Sequence, residues 1–97
     1  MNVFNIQQIN EIIHGRLRLG VMAYLSTAGS AEFNHLKKQL SATDGNLSVQ
    51  LRKLEVAQYV EIEKSFVGKK PLTKVVLTTA GKAAFIEYLD AMKKLID

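Results

Sequence analysis

The sequence predicts a mainly α-helical domain with one small β-hairpin, in the order αααα-ββ-α. Three observations lead to this class. Apolar residues recur at helical spacing in four successive stretches before residue 58, two short segments after it favour β-strands, and the last stretch is again helical. With 97 residues, 47% of them hydrophobic, the chain can bury a modest core, so we expect residues 1–97 to form a single domain.

The first two helices are predicted from their ends. Asn5 can cap a first helix over about 6–14, whose isoleucines fall on one stripe. A second helix is expected over about 16–27, because Gly29 follows it and glycine commonly ends helices. Gly20 inside this second helix indicates that another element packs closely against it.

The third and fourth helices form a pair joined by a tight turn. Ser30 can cap a short third helix that ends near Ser41. Turn-forming residues at 42–46 then lead into a fourth helix over about 44–57, whose leucines recur at i, i+4 and i+7. Such a pair is the helix-turn-helix motif, whose second helix enters the DNA major groove. We therefore call the fourth helix the recognition helix.

Two strands and a last helix complete the chain. Residues 59–64 alternate apolar and polar side chains as a half-buried strand does, and 74–78 is rich in β-branched residues. The segment 65–73 between them is predicted to be a long hairpin loop. A last helix is expected over about 80–96, capped by Thr78 or Thr79. A β-hairpin after a helix-turn-helix makes the predicted fold a winged helix-turn-helix.

The outward face of the recognition helix suits the reading of bases. Asn46 and Gln50 can pair with adenine edges, Arg52 with guanine or phosphate, and Val49 can touch a thymine methyl group. Lys37 and Lys38 on the third helix can add phosphate contacts. A merely solvated amphipathic helix would show the same pattern, so the helix alone does not decide. The DNA-contacting candidates in the recognition helix are Asp44, Gly45, Asn46, Ser48, Val49, Gln50, Arg52 and Lys53.

The hairpin, over about 64–74, is the predicted wing. Residues 64–86 contain five lysines and no acidic side chain, within a chain whose net charge is +4. Gly68 and Pro71 are expected to shape the tip, which would lie on the DNA backbone or in the minor groove. A lysine-rich hairpin that only protects a sheet edge is the alternative. The candidate DNA contacts of the wing are Lys64, Ser65, Lys69, Lys70 and Lys74.

Several short motifs together resemble a known family. They are Asp44-Gly-Asn-Leu-Ser48, Leu51-Arg-Lys-Leu-Glu55, Tyr59-Val60, Glu63-Lys-Ser-Phe66, Gly68-Lys-Lys-Pro71 and Leu77-Thr-Thr-Ala-Gly81. From about His14 to Met92 the chain resembles stand-alone winged-helix proteins of the MarR-like transcriptional regulator group, in the short form without a ligand-binding domain. The resemblance implies a homodimeric bacterial or archaeal transcription factor, with the recognition helix in the major groove and the hairpin as wing.

Two residues depart from that family pattern. Gln58 stands before Tyr59 where the family usually has glycine, so a left-handed turn there would cost about 1–2 kcal/mol or take another form. Gln50 stands where related proteins often carry histidine, which bears on base preference rather than on binding.

The two ends of the chain carry more apolar residues than a small core needs. A two-fold dimer built from the first and last helices would bury them and set two recognition helices about 34 Å apart. Alternatively, the two helices cover each other within one chain. The candidate dimerisation residues are Ile6, Ile9, Ile13, Ile86, Leu89, Met92 and Ile96.

Other functions find little support. The chain has no cysteine, which excludes thiolate metal sites and thiol catalysis. Glu32 and His35 have the spacing of a carboxylate-histidine metal motif, but no second copy of the motif is present. We therefore expect His35 to be a surface or packing residue, and His14 to pack or cap at a helix junction. We expect no catalysis, metal, cofactor or small-molecule ligand. No apolar run spans a membrane, which predicts a cytoplasmic protein. The predicted partners are duplex DNA and a second copy of the chain, and the alternative is a winged-helix module that binds another protein.

Overall fold

A 3-10 helix, four α-helices and three β-strands make up the chain in a computed structural model that describes residues 4–97. The strands form one antiparallel sheet, with the last strand of the chain in its centre. The mainly α-helical class with a β-hairpin is therefore confirmed. The elements are the 3-10 helix Ile6–Gln8, α1 Arg16–Ala28, β1 Ser30–Glu32, α2 Phe33–Gln39, α3 Asp44–Val56, β2 Val60–Val67, β3 Lys70–Leu77 and α4 Thr79–Ile96.

The core lies between α1, α3, α4 and one face of the sheet. The three leucines of the recognition helix α3, at positions 47, 51 and 54, are all buried in it, as their spacing predicts. Burial of an aliphatic side chain of this size contributes roughly 1.5–3 kcal/mol, so this stripe orients α3 firmly on the body. The other buried core residues are Ile9, Ile13, Val21, Met22, Leu25, Leu36, Val60, Val75, Ala84, Phe85 and Tyr88. Within residues 4–97, no helix is both long and apolar enough to cross a membrane.

Two threonines begin the helices that frame the hairpin. The Thr43 hydroxyl accepts the Asn46 backbone N–H at 3.1 Å, and the Thr78 hydroxyl accepts that of Gly81 at 2.9 Å. Each oxygen satisfies a donor that the first helical turn leaves without a backbone partner. A Cβ on Gly81 would lie 2.1 Å from the Tyr59 carbonyl oxygen, so only glycine permits this contact between α4 and the strand entrance.

The first predicted helix is wrong beyond its first turn. Asn5 caps as expected, because its Oδ1 accepts the Gln7 N–H at 3.0 Å, but only a 3-10 helix follows. Asn10 provides the reason: its Oδ1 accepts the N–H groups of Ile12 and Ile13 at 2.9 and 3.1 Å. These donors would otherwise bind carbonyls four residues earlier, so the side chain replaces the helix with turns.

Ser30 does not cap a helix. It begins β1, whose three residues pair with Lys74 to Val76 of the central strand β3. Gly29, with φ of 80°, turns the chain out of α1, and its carbonyl accepts the Leu77 N–H at 2.9 Å. The third predicted helix is thereby shortened to α2, since three of its residues satisfy their backbone groups in the sheet. The close approach predicted at Gly20 is confirmed, because a Cβ there would lie 2.7 Å from Leu40 Cδ2.

The long hairpin loop predicted over 65–73 is also wrong. β2 and β3 stay paired up to Val67 and Lys70, with a two-residue turn between them. Gly68, at φ 64°, supplies the positive φ that such tight turns require. Pro71 is tolerated because its nitrogen faces the edge where β1 would pair, and β1 reaches only as far as Lys74.

The turn between α3 and β2 keeps its left-handed residue although it is not glycine. Gln58 has φ of 67°. The Gln58 N–H binds the Glu55 carbonyl at 2.9 Å, and the Tyr59 N–H binds that of Leu54 at 3.0 Å. This is the Schellman pattern of hydrogen bonds, which needs a left-handed residue at this position. Of the two outcomes expected from the sequence, the strained left-handed turn is the one that occurs.

Candidate nucleic-acid interface

The outer face of α3 presents most of the predicted base-reading residues to solvent. Val49, near the middle of α3, is 55% exposed, and the Arg52 side chain is 77% exposed. The remaining exposed members of the predicted set are Asp44, Gly45, Asn46, Ser48 and Lys53. Gly45, Val49, Arg52 and Lys53 lie opposite the buried leucines, with Asn46 and Ser48 on the flanks of that face. Asp44 lies nearer the leucine side.

Gln50 is the exception within this set. It is half-buried, and its Oε1 accepts a hydrogen bond from the Arg18 guanidinium of α1. Because a guanidinium carries only hydrogen-bond donors, its partner on Gln50 is the amide oxygen, and the amide nitrogen takes no part in this contact. Pairing of Gln50 with an adenine edge uses both groups of the amide. Because the oxygen has two lone pairs, it can accept from Arg18 and from the adenine amino group, so the contact with Arg18 leaves this pairing open.

Arg18 is a residue that no sequence motif singled out. Besides Gln50, its guanidinium donates to the carbonyl oxygens of Glu11 and Ile12 in the N-terminal segment. A Cβ at Gly15 would lie 2.6 Å from the Arg18 Nη2, so glycine makes room for the guanidinium. Arg18 thus links the N-terminal segment to the recognition helix, a role that depends on contacts 32 residues apart in the chain.

Two ion pairs modify the charge of the surface. Lys37 Nζ lies 2.7 Å from Asp44 Oδ1, which joins α2 to the first turn of α3. A carboxylate in that turn also interacts favourably with the helix dipole. Arg52 lies 4.0 Å from Glu55, one turn along α3. Exposed pairs of this kind are worth about 0–1 kcal/mol, so a phosphate can compete for Lys37 or Arg52.

The wing has two different faces. Lys64 and Phe66 of β2 lie an even number of residues after the buried Val60, so their side chains share the face of Val60. Val67 and its partner Lys70 lie on the opposite face. Ser65 and Lys69 are exposed as well.

Lys74 differs from the other wing lysines. It lies directly opposite Glu63 on one neighbouring strand and Glu32 on the other. Cross-strand carboxylates attract a lysine at this position and reduce the charge it presents to solvent. Lys64, Lys69 and Lys70 have no glutamate or aspartate opposite them in the register.

A groove separates α3 from the wing and connects the two surfaces. Ser48 and Arg52 line it from the helix, and Lys64 and Thr73 line it from the hairpin. The outer side of the recognition helix and the Lys64 face of the wing therefore open toward the same space.

The predicted dimerisation residues fall into two groups. Ile9 and Ile13 are buried in the core of the single chain, so they are not part of a free surface. The exposed residues of the set are Ile6, Ile86, Leu89 and Ile96, with Met92 half-buried. On α4 they form one apolar stripe beside the buried stripe, with Leu89 49% exposed. Phe4 adds an exposed aromatic ring near the start of the chain.

Both histidines have tyrosine partners. His14 Nδ1 shares a hydrogen bond of 2.8 Å with the Tyr88 hydroxyl, and His35 Nε2 shares one of 2.6 Å with that of Tyr24. These contacts agree with the packing roles expected from the sequence. Among residues 4–97, histidines and carboxylates form no cluster suited to a metal ion.

Comparisons with known proteins agree with this geometry. Residues 17–96 match the family described as winged helix DNA-binding domain. An uncharacterized protein from Methanocaldococcus jannaschii is 37% identical over 79 residues, 81% of this chain and 86% of the relative. A transcriptional regulator homologue from Pyrococcus horikoshii has a TM-score of 0.84 at 32% identity, over 91% of this chain and 87% of its own. A MarR family regulator from Neisseria meningitidis shares the fold, with a TM-score of 0.62 and 24% identity over 94% of this chain and 60% of its own.

Proposed function

The chain belongs to the family of winged helix DNA-binding domains, and on this premise we propose that it is a cytoplasmic transcriptional regulator that binds specific duplex DNA sequences as a homodimer. The resemblance to MarR-like regulators and the winged-helix fold are confirmed. Regulators of this family bind DNA and are not enzymes, so the chain is not an enzyme. Residues 1–97 would act as one DNA-binding unit with no cofactor.

The groove between α3 and the wing is the observation that carries this proposal. Cationic groups from both elements, Arg52 and Lys64, border it, and so do Asp44 and Glu55, the carboxylates of the two ion pairs described above. A duplex presents a major groove about 12 Å wide flanked by phosphates, and it admits one α-helix. With α3 in the major groove, the wing would lie over the adjoining backbone, so both predicted surfaces would be used at once.

The side chains divide into two roles under this proposal. Arg52 and Val49, with Asn46 and Ser48, would contact base edges from the exposed face of α3. Lys64, Lys69 and Lys70, helped by Lys38, Lys53 and Ser65, would hold phosphates, which fixes register without reading sequence. Lys74 would contribute less than the sequence indicates, because glutamates lie opposite it on both sides.

The homodimer part of the proposal is supported by the exposed apolar stripe on α4. A two-fold axis beside this stripe would bury Ile86, Leu89 and Ile96 against a second copy, together with Ile6 from the N-terminal segment. Two recognition helices would then meet half-sites about one helical turn, roughly 34 Å, apart. A palindromic operator follows from this geometry.

The experiment begins with selection of bound fragments from random duplex DNA and compares the selected sequence with a scrambled one. Arg52→Ala should weaken binding to the selected duplex by about 1–3 kcal/mol and to the scrambled duplex much less. Equal losses on both would make Arg52 a phosphate contact. A protein that selects no sequence and shows no salt-dependent binding to duplex DNA would refute the proposal and favour a protein-binding module.

A salt titration separates the wing from the rest of the surface. Replacing Lys69 and Lys70 together with alanine should lower the salt slope by about 0.9 for each phosphate that the wing no longer neutralises. Lys93 and Lys94, an adjacent exposed pair in the last turn of α4, provide the matched control. Their replacement removes the same charge and should leave the slope almost unchanged.

A further inference from the structure

An exposed aromatic ring lies near the end of the wing. Phe66 is 73% exposed, and its neighbour Val67 is 66% exposed. Scattered apolar residues on a surface need no explanation, but this pair lies among exposed lysines at 64, 69 and 70. Residues 64–86 contain no acidic side chain. An apolar tip in a cationic setting matches a polyanion that also offers apolar surface, as duplex DNA does between its stacked bases.

The strand register determines where the ring points. Phe66 lies on the same face of the hairpin as Lys64, which lines the groove beside α3. Pro71, its cross-strand partner, shares this face. Val67 lies on the other face, although it is nearly as exposed. The side of the wing that carries Phe66 is therefore the side that would turn toward DNA held by α3.

The wing extends beyond the groove that it shares with α3, because Phe66 lies two residues past Lys64. Phe66 lies six residues beyond Val60, which is buried, and six residues of strand span about 20 Å. The ring also has a rigid support, because β2 and β3 pair up to the two-residue turn.

We propose that Phe66 inserts into the minor groove beside the major groove occupied by α3 and partly unstacks one base step there. This inference rests on the proposed function and adds its mode of DNA deformation. Apolar wedges of this kind kink DNA, and pyrimidine–purine steps such as TA and CA deform most easily. The operator should therefore prefer such a step under each wing, at a position where no hydrogen bond reads the base. Lys64, on the same face as Phe66, and Lys69, in the turn, would hold the flanking phosphates.

The test uses the full chain and a selected duplex with the fluorescent base 2-aminopurine placed at successive steps under the wing. Wild-type protein should raise the fluorescence at one step, which reports unstacking. Phe66→Ala should abolish this rise. It should weaken binding to a duplex with a TA or CA step under the wing about tenfold, and weaken binding to a duplex with a stiff step at that position much less. Val67→Ala is the matched control, almost as exposed on the other face, and should behave as the wild type. Phe66→Leu should retain part of both effects.

The outcomes separate this inference from the function on which it rests. If Phe66→Ala binds as tightly as the wild type and still raises the fluorescence, the wedge is overturned and the DNA-binding function stands. Equal losses in Phe66→Ala and Val67→Ala would also overturn it, because only Phe66 lies on the face beside α3. Wild-type protein that binds no duplex would overturn both proposals. Circular dichroism should show both variants folded, since neither side chain lies in the core.

Discussion

Replacing Gln58 with glycine should stabilise the protein. The backbone at this position has φ of 67°, and the left-handed region costs a residue with a Cβ about 1–2 kcal/mol. The Gln58 side chain is exposed, and its backbone N–H and carbonyl carry the hydrogen bonds to Glu55 and Thr78. Glycine keeps all of these backbone bonds. Its greater freedom in the unfolded chain offsets roughly 0.5–1 kcal/mol, so the net gain should lie between about 0 and 1.5 kcal/mol, with about 0.5–1 kcal/mol in the middle of that range.

The assay is thermal denaturation followed by circular dichroism, with all variants at one protein concentration because a dimer's stability depends on it. For a domain of this size, a gain of 0.5–1 kcal/mol corresponds to a rise in Tm of roughly 2–8 °C. Gln39→Gly, the same chemical change in the last turn of the α2 helix, is the matched control and should lower the Tm. A Tm for Gln58→Gly at or below that of the wild type would refute the reasoning from backbone strain.

Three further perturbations test the packing, the dimer and the link to the recognition helix. Gly81→Ala should lower the free energy of unfolding by about 1–3 kcal/mol in chemical denaturation, because the added methyl group would collide with the Tyr59 carbonyl. Leu89→Asp should convert the proposed dimer to a folded monomer in sedimentation equilibrium and remove most operator affinity. A wild type that sediments near 10.8 kDa, the mass of one chain, would exclude the dimer. Arg18→Ala should weaken operator binding, because it removes the hydrogen bonds that hold Gln50 and the N-terminal segment in place. Gln50→Ala should then add little, so that a double-mutant cycle shows a coupling of about 0.5–3 kcal/mol, whereas additive losses would mean that the contact does not matter.

Much of this fold follows from local sequence. The leucines of α3 repeat at helical spacing, and all three are buried. Thr78, one of the two threonines proposed as the cap of the last helix, is the residue that caps it, and Gly29 ends α1 as expected. In each case the signal lies within about one helical turn of the residues it controls, so no distant partner is needed. The basic wing and the exposed face of α3 were predictable for the same reason.

The tertiary structure decided the positions where two local outcomes were close in free energy. Ser30 is a good helix cap by itself, but it begins the strand β1 because the edge of β3 offers partners for its backbone groups. Asn10 can sit in a helix, but its amide nitrogen donates to the Tyr59 hydroxyl, 49 residues away, at 2.9 Å, while its oxygen binds two backbone N–H groups nearby.

The fate of the candidate site residues depended on the same long-range contacts. Gln50 turns inward because Arg18, far away in the sequence, supplies a guanidinium to its oxygen. Ile9 and Ile13, which have the same pattern as an interface stripe, are buried because the core of their own chain lies next to them. Apolar spacing determines that a face must be covered, whereas only the arrangement of the whole chain determines what covers it.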